Sequence, residues 1–342
     1  MTTEPAPTEL GTVLDPAWLS RALGVEVRSS VEVERLETLA SKVRFGVTYA
    51  ADSVGLPEAL CVKGYFSESG RQWASLGARE ARFYAELAPT LSVEVPRCLY
   101  TGIDPASGHG LVIMEDLVTA GATFLTALSP YGPDEVAATL DQLATLHAHH
   151  WGSAALAAES WLAPSFVGYA NALSDEEHEA LLAGKRGAPI PPEVRRSSRL
   201  KGALGALAAR YDGAPRALIH ADAHAGNLYR PEGGGAGLVD WQIYQFSHWS
   251  IDVAYHIGAV LDPVDRAASE RDLVTHYLER LAARGVEAPG LDEAWSDYRA
   301  SLAYGYFMWS ITRKVVEDVT LEFNRRLGLA VADHGSLDLL GV

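Results

Sequence analysis

The segment from His220 to Asn227 reads His-Ala-Asp-Ala-His-Ala-Gly-Asn, and it constrains the fold of this chain more than any other feature. It leads into two short apolar segments, residues 227–230 and 237–240, separated by Pro-Glu-Gly-Gly-Gly-Ala. Strand-forming residues on both sides of such turn residues predict a β-hairpin. Symmetric pairing of the two strands would place Asn227 directly opposite Asp240.

Asn227 and Asp240 would then present an amide oxygen and a carboxylate about 5 Å apart. Oxygen ligands of this kind suit Mg²⁺, which keeps its remaining positions for water and phosphate oxygens. Asp222 lies on the loop that enters the hairpin, where a carboxylate could accept the proton of an attacking hydroxyl. The segment therefore predicts a site for phosphoryl transfer from a nucleotide.

The order and spacing of these residues resemble the aminoglycoside phosphotransferases, choline kinases and ecdysteroid-kinase-like enzymes, which are relatives of the protein kinases. The signature of that group is His-Gly-Asp, four further residues, Asn, and then a hydrophobic residue followed by Asp-Trp, here Val239 to Trp241. The resemblance implies an α+β, two-lobed, protein-kinase-like fold. Its N-terminal lobe would hold an antiparallel sheet, and its larger C-terminal lobe would be helical.

The resemblance also implies a role for each residue of the segment. Asp222 would be the catalytic base, Asn227 and Asp240 would bind Mg²⁺, and His220 would brace the loop. Asp252 would hydrogen-bond back to this loop from the start of a later helix, a role that is compatible with simple N-capping.

Two positions depart from the pattern of the group. Ala221 stands where glycine is usual, and since alanine is compatible with ordinary backbone angles, we expect only a slight change in the loop. Gln242 occupies a position where many relatives carry an acidic residue. This second departure leaves the acceptor of the phosphoryl group open.

The N-terminal part of the chain has the pattern of a small sheet followed by a helix. Residues 31–36, 42–49 and 58–63 are rich in β-branched and aromatic residues and predict three strands. Residues 71–87 predict a helix with one broad apolar face. By resemblance, Lys63 would contact the α- and β-phosphates of ATP.

Glu80, within the predicted helix, would by resemblance pair with Lys63 and hold its ammonium toward the phosphates. Glu86 is the alternative partner, nearer the end of that helix. The segment from Leu39 to Gly46 has a single glycine, Gly46, so a glycine-rich phosphate cradle is not evident. Ser41 and Lys42 are the candidates to contact phosphate instead.

Residues 110–117 form an apolar strand that runs into an acidic pair. By resemblance, adenine would hydrogen-bond to main-chain groups of Glu115 and Leu117. The chain would accordingly divide into a nucleotide-binding lobe, residues 1–117, and a helical lobe, residues 118–342, which carries the catalytic loop and the acceptor pocket.

Residues 133–152 predict a long helix that ends in His147, His149 and His150. No catalytic role is assigned to these histidines, since histidines at a helix end are usually structural. A late aromatic cluster in helical sequence is expected to be mainly core, although part of it could line the acceptor pocket. Its members are Trp295, Tyr298, Tyr304, Tyr306, Phe307 and Trp309.

Composition excludes several classes of function. The chain has 342 residues and a formal charge of −16, which argues against a nucleic-acid partner. No apolar run is long enough to span a membrane, and the first residues lack the features of a signal peptide, so a cytoplasmic protein is expected. The two cysteines, Cys61 and Cys98, are expected to be buried thiols.

The sequence thus predicts an ATP-dependent enzyme that moves the γ-phosphoryl group to a hydroxyl of a small molecule. Either an apolar alcohol or a quaternary ammonium compound would suit an aromatic pocket. Two alternatives remain open. One is a nucleotide-binding protein with little transfer activity, and the other is a metal-dependent hydrolase with Zn²⁺ on His220, Asp222, His224 and Asp240.

Overall fold

The computed structural model describes residues 4–51 and 55–342. The chain divides into two compact units and passes between them several times. The first unit runs to Thr123 and also contains Arg230–Gly234 and Leu238–Ile243. The second unit consists of Phe124–Tyr229, Gly235–Gly237 and Tyr244–Val342.

The first unit contains a five-stranded sheet and four α-helices. These elements are α1 (Leu10–Val13), α2 (Pro16–Leu23), β1 (Val27–Glu37), β2 (Ser41–Tyr49), β3 (Ala59–Gly64), α3 (Glu68–Arg71), α4 (Ala74–Arg82), β4 (Cys98–Ile103) and β5 (Gly110–Glu115). A π-helical turn, Phe83–Leu87, and a 3₁₀ turn, Ala88–Thr90, follow α4. The three predicted strands correspond to β1, β2 and β3, and the predicted strand at 110–117 corresponds to β5.

The sheet has the order β1-β2-β3-β5-β4, and every neighbouring pair is antiparallel. Alternate residues of a strand point to opposite faces. One face is apolar, with residues such as Phe45, Val62 and Ile113 buried against Trp18 and Leu19 of α2. The opposite face is the one that carries the lysine predicted to bind phosphate, Lys63 on β3.

Helix α4 lies close against β5. A Cβ atom on Gly77 would come within 2.3 Å of the carbonyl oxygen of Gly110, so a larger residue at position 77 would force the helix away.

The helix predicted at 71–87 is interrupted in the structure. An α-helical turn ends at Arg71, α4 starts at Ala74, and the chain continues into the π-helical turn.

The second unit is largely helical. Its longer elements are α5 (Pro133–His149), α7 (Asp175–Ala183), α8 (Ser197–Arg210), α9 (Ser250–Val260), α10 (Pro263–Ala282), α11 (Leu291–Ile311) and α12 (Glu317–His334). Short elements are β6 (Thr123–Phe124), α6 (Ala154–Ala157), β7 (Ala217–Ile219), β8 (Leu228–Arg230), β9 (Gly237–Leu238), β10 (Gln245–Ser247) and α13 (Ser336–Leu339). Within the residues described, no helix is long and apolar enough to cross a membrane.

The predicted hairpin is present but shorter than expected. Strands β8 and β9 are neighbours in a small sheet. Asn227, however, ends a 3₁₀ turn before β8, and Asp240 lies beyond the end of β9 with a φ of 71°. The prediction that these two residues are cross-strand partners is therefore wrong, because neither belongs to a strand.

Candidate active site

Lys63 in the first unit has two carboxylate partners. Its ammonium lies 2.7 Å from Oε2 of Glu80 on α4 and 2.7 Å from Oδ1 of Asp240. The side chains of Lys63 and Glu80 are 4% and 2% exposed. Glu86, the alternative partner considered from the sequence, is exposed. The structure thus brings together three residues that are far apart in sequence. The contact of Lys63 with Glu80 was predicted, and its contact with Asp240 was not.

Burial and charge act in opposite directions on this cluster. Burial disfavours the charged ammonium of Lys63, but the carboxylates of Asp240 and Glu80 outweigh it and raise the pKa of Lys63. Burial raises the pKa of Glu80, and the ammonium of Lys63 opposes that shift. Lys63 therefore stays positively charged at neutral pH, as a group that binds phosphate must.

The residues next to Asp240 fix it to α4 and β3. The backbone N–H of Trp241 donates to Oε1 of Glu80 at 3.2 Å. The indole of Trp241 is stacked on the ring of Phe83, with centroids 3.8 Å apart. The hydroxyl of Tyr65 donates to Oε1 of Gln242 at 2.5 Å. Gln242, the second departure from the family pattern, thus accepts a hydrogen bond from a buried tyrosine.

Ser41 and Lys42 point to opposite faces of the sheet. Ser41 is buried, and its hydroxyl donates to Oε2 of Glu37 at 2.7 Å. Lys42 lies opposite Lys63 in the β2–β3 register, and its ammonium is 3.3 Å from Oδ2 of Asp240. The structure therefore brings Lys42 to the Lys63 cluster and leaves Ser41 on the other face.

A cavity of about 660 Å³ lies beside the same sheet, a size that suits a nucleoside. Val31, Val33, Gly46 and Ala59 line it on the strand side, and Glu115 and Asp116 line it at the end of β5. Val31 and Val33 are large apolar side chains with about two thirds of their surface exposed, 65% and 66%. An apolar surface of this kind next to main-chain polar groups is typical of a pocket for a flat aromatic ring.

Main-chain groups of Glu115 and Leu117 take part in the local backbone structure. The N–H of Glu115 donates to the carbonyl of Arg97 at 3.0 Å, and the carbonyl of Leu117 accepts from the N–H of Ala122 at 2.9 Å. Both residues therefore have an ordered backbone at the end of β5.

Asp222 lies in the second unit, on the loop between β7 and β8. Its Oδ2 accepts from Nδ2 of Asn227 at 2.9 Å, and its Oδ1 accepts from the hydroxyl of Tyr255 at 3.2 Å. Burial and the neighbouring Asp222 carboxylate hold the pKa of Tyr255 well above its usual value, so this tyrosine stays protonated and donates. Both oxygens of Asp222 are therefore oriented by donors on different elements.

Asp252, near the start of α9, binds the backbone of the same loop. Its Oδ2 accepts from the N–H of His220 and its Oδ1 accepts from the N–H of Ala221, both at 2.7 Å. Nδ1 of His220 in turn accepts from the N–H of Asp222 at 3.2 Å. The contacts expected of Asp252 and His220 as braces are thus present.

Ala221 has a φ of 66°, in the left-handed region. Alanine is compatible with ordinary backbone angles, but the structure places Ala221 outside them. Its N–H is held by Asp252, and its carbonyl accepts from the hydroxyl of Tyr304 at 2.8 Å. These contacts on both sides of Ala221 impose a conformation that glycine adopts more readily.

Three histidines surround Asp222 and Asp252, one of them within the loop and two on distant helices. Nε2 of His147 lies 3.2 Å from Oδ2 of Asp252, and Nδ1 of His256 lies 3.0 Å from the carbonyl of Ala223. Nε2 of His224 lies 3.6 Å from Oδ1 of Asp222. The spacing of His224 within the motif was the only signal available, because the other two come from distant helices.

The late aromatic cluster is mainly core, as expected. Tyr298, Tyr304, Tyr306 and Phe307 are fully buried, and Trp309 is 4% exposed. Trp309 stacks on Phe323 and lies edge-on to the ring of His224, with centroids 4.1 and 5.0 Å apart. One end of the cluster therefore packs against the loop that contains Asp222.

The oxygen donors that Asn227 and Asp240 each offer are of the type that Mg²⁺ prefers, whereas Zn²⁺ sites usually include Cys or His. Within residues 4–51 and 55–342, no three His, Cys, Asp or Glu side chains group as a metal site. Mg²⁺ needs only one or two protein oxygens because it keeps several waters and phosphate oxygens. The amide nitrogen of Asn227 donates to Asp222, which leaves its oxygen as the atom able to bind a cation.

Solved structures share the fold of this chain at low sequence identity. The choline kinase LicA from Streptococcus pneumoniae is 13% identical with a TM-score of 0.51, covering 90% of this chain and 94% of that one. The choline kinase from Cryptosporidium parvum is 13% identical with a TM-score of 0.53, covering 95% and 92%. A proposed aminoglycoside phosphotransferase from Ralstonia eutropha is 14% identical with a TM-score of 0.52, covering 95% of each chain.

These similarities show an α+β kinase-like fold, with a five-stranded antiparallel sheet followed by a largely helical region, as the sequence predicted. Among curated proteins, no sequence matches the chain. The family model described as the phosphotransferase enzyme family matches residues 59–299. Because that match covers well over half of the chain, the protein belongs to the APH phosphotransferase family.

Proposed function

We propose that this protein is an ATP-dependent kinase that transfers the γ-phosphoryl group to a hydroxyl of a small molecule. The observation that carries the proposal is the ion-pair cluster of Lys63 with Glu80 and Asp240. Taking three charged groups out of water is unfavourable, and such clusters are commonest where a charged ligand is bound. Membership of a phosphotransferase family identifies the ligand class as a phosphoryl donor.

The first unit would bind the nucleotide. Lys63 would hold the phosphates, and Glu80 would fix the direction of its ammonium. The carbonyl of Glu115 and the N–H of Leu117 would pair with adenine beside the apolar cavity.

The second unit would supply the base. Asp222 would accept the proton of the acceptor hydroxyl through its carboxylate, whose two oxygens are oriented by Asn227 and Tyr255. His220 and Asp252 would position the loop. Asn227 and Asp240 are the residues that we propose to hold Mg²⁺, which when bound neutralises negative charge on the phosphates.

The test is acceptor-dependent release of ADP from Mg·ATP in the presence of alcohols, choline-like amines, aminoglycosides and sterols. The Asp222→Asn variant should lose about 100-fold or more of the activity found with any acceptor, since general-base catalysis contributes at least that much. The matched control is Asp212→Asn, an exposed aspartate of the same unit, which should keep full activity. Full activity in Asp222→Asn would rule out its role as the base.

A nucleotide-binding protein with little transfer activity is the second candidate. The residues between β1 and β2, Thr38 to Ala40, contain no glycine that could bring backbone N–H groups onto a phosphate. Nucleotide binding without ADP release on any acceptor would support this candidate. Activity that needs Zn²⁺ and no ATP would instead support the hydrolase alternative.

A further inference from the structure

Lys42 and Lys63 form a cross-strand pair of like charge. They are directly opposite in the antiparallel register of β2 and β3, so their Cβ atoms are about 5 Å apart. Two positive side chains in this position ordinarily repel each other. Here both ammonium groups contact one carboxylate, Lys63 at Oδ1 of Asp240 and Lys42 at Oδ2. The shared anion is what allows the two lysines to lie side by side.

The two lysines are not equivalent. Lys63 is 4% exposed and has contacts of 2.7 Å with both Asp240 and Glu80. Lys42 is 34% exposed, and its contact with Asp240 is longer, at 3.3 Å. A partly exposed lysine with a contact of 3.3 Å is held more weakly than a buried lysine with two contacts of 2.7 Å. Lys42 is therefore the partner of Asp240 that another ligand can displace.

The charges of the cluster also favour an exchange of partners. Two ammonium groups, on Lys42 and Lys63, balance two carboxylates, on Glu80 and Asp240. If the carboxylate of Asp240 engages a divalent cation, as proposed above, Lys42 loses its anion. A polyphosphate is the ligand that would supply a new one beside Lys63.

No other group near the start of β2 offers such a contact. The residues before it, Thr38 to Ala40, lack the glycines of a backbone cradle. Ser41 faces the opposite side of the sheet and donates to Glu37. Arg44, the next residue on the face of Lys42, donates to both oxygens of Asp116.

We propose that Lys42 is a second phosphate-binding lysine, which leaves Asp240 and binds the terminal phosphates of the nucleotide. In this protein it does the work that a glycine-rich loop does in other kinases. Its contribution to binding grows with the number of phosphates, so it selects nucleoside triphosphates over monophosphates. The inference rests on the proposed function, because it takes the ligand to be a nucleotide.

The experiment is isothermal titration of the full chain with ATP, ADP and AMP in the presence of Mg²⁺ and without acceptor. Lys42→Met should weaken ATP binding by about tenfold and AMP binding by less than about twofold. Lys42→Arg, which keeps the charge, should restore most of the ATP affinity. Arg35→Met, which removes a positive charge from an exposed position on β1, should change neither affinity.

Two results would overturn the inference while leaving the proposed function intact. Unchanged or tighter ATP binding in Lys42→Met would mean that Lys42 serves only as a counter-ion to Asp240. Equal losses for ATP and AMP would mean that the substitution disturbs the fold or the base pocket. Failure of the unsubstituted protein to bind any nucleotide would overturn both proposals.

Discussion

Ala221 shows how one residue can carry a conformational demand that its neighbours impose. Its N–H and carbonyl are held by Asp252 and Tyr304, and its φ of 66° follows from those contacts. A left-handed conformation is unfavourable for a residue with a Cβ by about 1–2 kcal/mol. Burial of the Ala221 methyl group, which is fully buried, offsets part of that strain.

The effect of a substitution at position 221 on stability should therefore depend on whether the new side chain is branched at Cβ. Ala221→Gly relieves strain but loses a buried methyl group and gains entropy in the unfolded chain, so its free energy of unfolding should stay within about 1 kcal/mol of the original. Ala221→Val places a β-branched side chain at positive φ in a buried site and should lose about 2 kcal/mol or more. Urea unfolding measures both changes, and a valine variant as stable as the original chain would disprove the strain.

At the scale of elements, the start of helix α9 holds the backbone of residues 220 and 221. Asp252 accepts hydrogen bonds from two backbone N–H groups of that loop and a third hydrogen bond from His147 on α5. His147 accepts in turn from the hydroxyl of Tyr277 on α10, at 2.8 Å. Three helices of the second unit thus support the conformation of residues 220 and 221.

Asp252→Asn tests this arrangement. An amide has only one acceptor oxygen, so one loop N–H would be left facing an N–H₂ group, which should lower stability by roughly 2–3 kcal/mol. We expect kcat to fall by about tenfold or more. The dissociation constant for ATP measured without Mg²⁺ should not change, because Lys63, Glu115 and Leu117, the proposed direct contacts of the nucleotide, lie in the first unit.

The control is Asp265→Asn, an exposed aspartate in the first turn of the next helix, α10. Like Asp252→Asn, this variant removes one negative charge near the start of a helix. Asp265, however, does not contact the loop. Steady-state kinetics and titration with ATP separate the two readouts. A weaker affinity for ATP with unchanged kcat in Asp252→Asn would contradict the assignment.

The sequence predicted these elements where the signal was local. Runs of β-branched, aromatic and apolar residues predicted β2, β3 and β5. The sequence did not predict that β9 stops at Leu238, or that the helix after β3 is interrupted. Distant residues pack together in these regions, Gly77 on Gly110 and Phe83 on Trp241, and such contacts leave no local signal in the sequence.

At the scale of the whole molecule, the candidate site also combines residues that have a local signal in the sequence with residues that only the fold brings together. The order of Asp222, Asn227 and Asp240 predicted phosphoryl transfer, because the spacing of those residues lies within one segment. The partners that support them could not be predicted in the same way. Tyr304 contacts Ala221 from 83 residues away and His147 contacts Asp252 from 105 residues away, and only the packing of the helices brings them there.

Buried histidines of the second unit should make its stability depend on pH. Burial lowers the pKa of His256 to about 4 and that of His248 to about 3. Nδ1 of His256 donates to the carbonyl of Ala223, and Nε2 is buried without a hydrogen-bond partner in the residues described. A proton added to that nitrogen would therefore be a buried charge with nothing to accept its hydrogen bond.

The folded and unfolded chains take up a proton on His256 at different pH values. Below pH 6.5 the unfolded chain takes up a proton on His256, whereas the folded chain does not until the pH nears 4. Stability is therefore unaffected by this group above pH 6.5 and falls as the pH is lowered toward 4. At pH 5 the loss from His256 alone should be about 2 kcal/mol.

His256→Asn isolates this contribution, because asparagine keeps a donor for the carbonyl of Ala223 but cannot take up a proton. The variant will be less stable at pH 7, because it leaves space where the ring was. The quantity to measure is therefore the slope of the free energy of unfolding against pH. Urea unfolding at pH 7, 6 and 5 should show a shallower loss of stability than in the original chain. His149→Asn, at an exposed position on α5, should keep the original slope. An unchanged slope in His256→Asn would show that the acid sensitivity arises elsewhere, and the corresponding variant of His248 would then be the next one to measure.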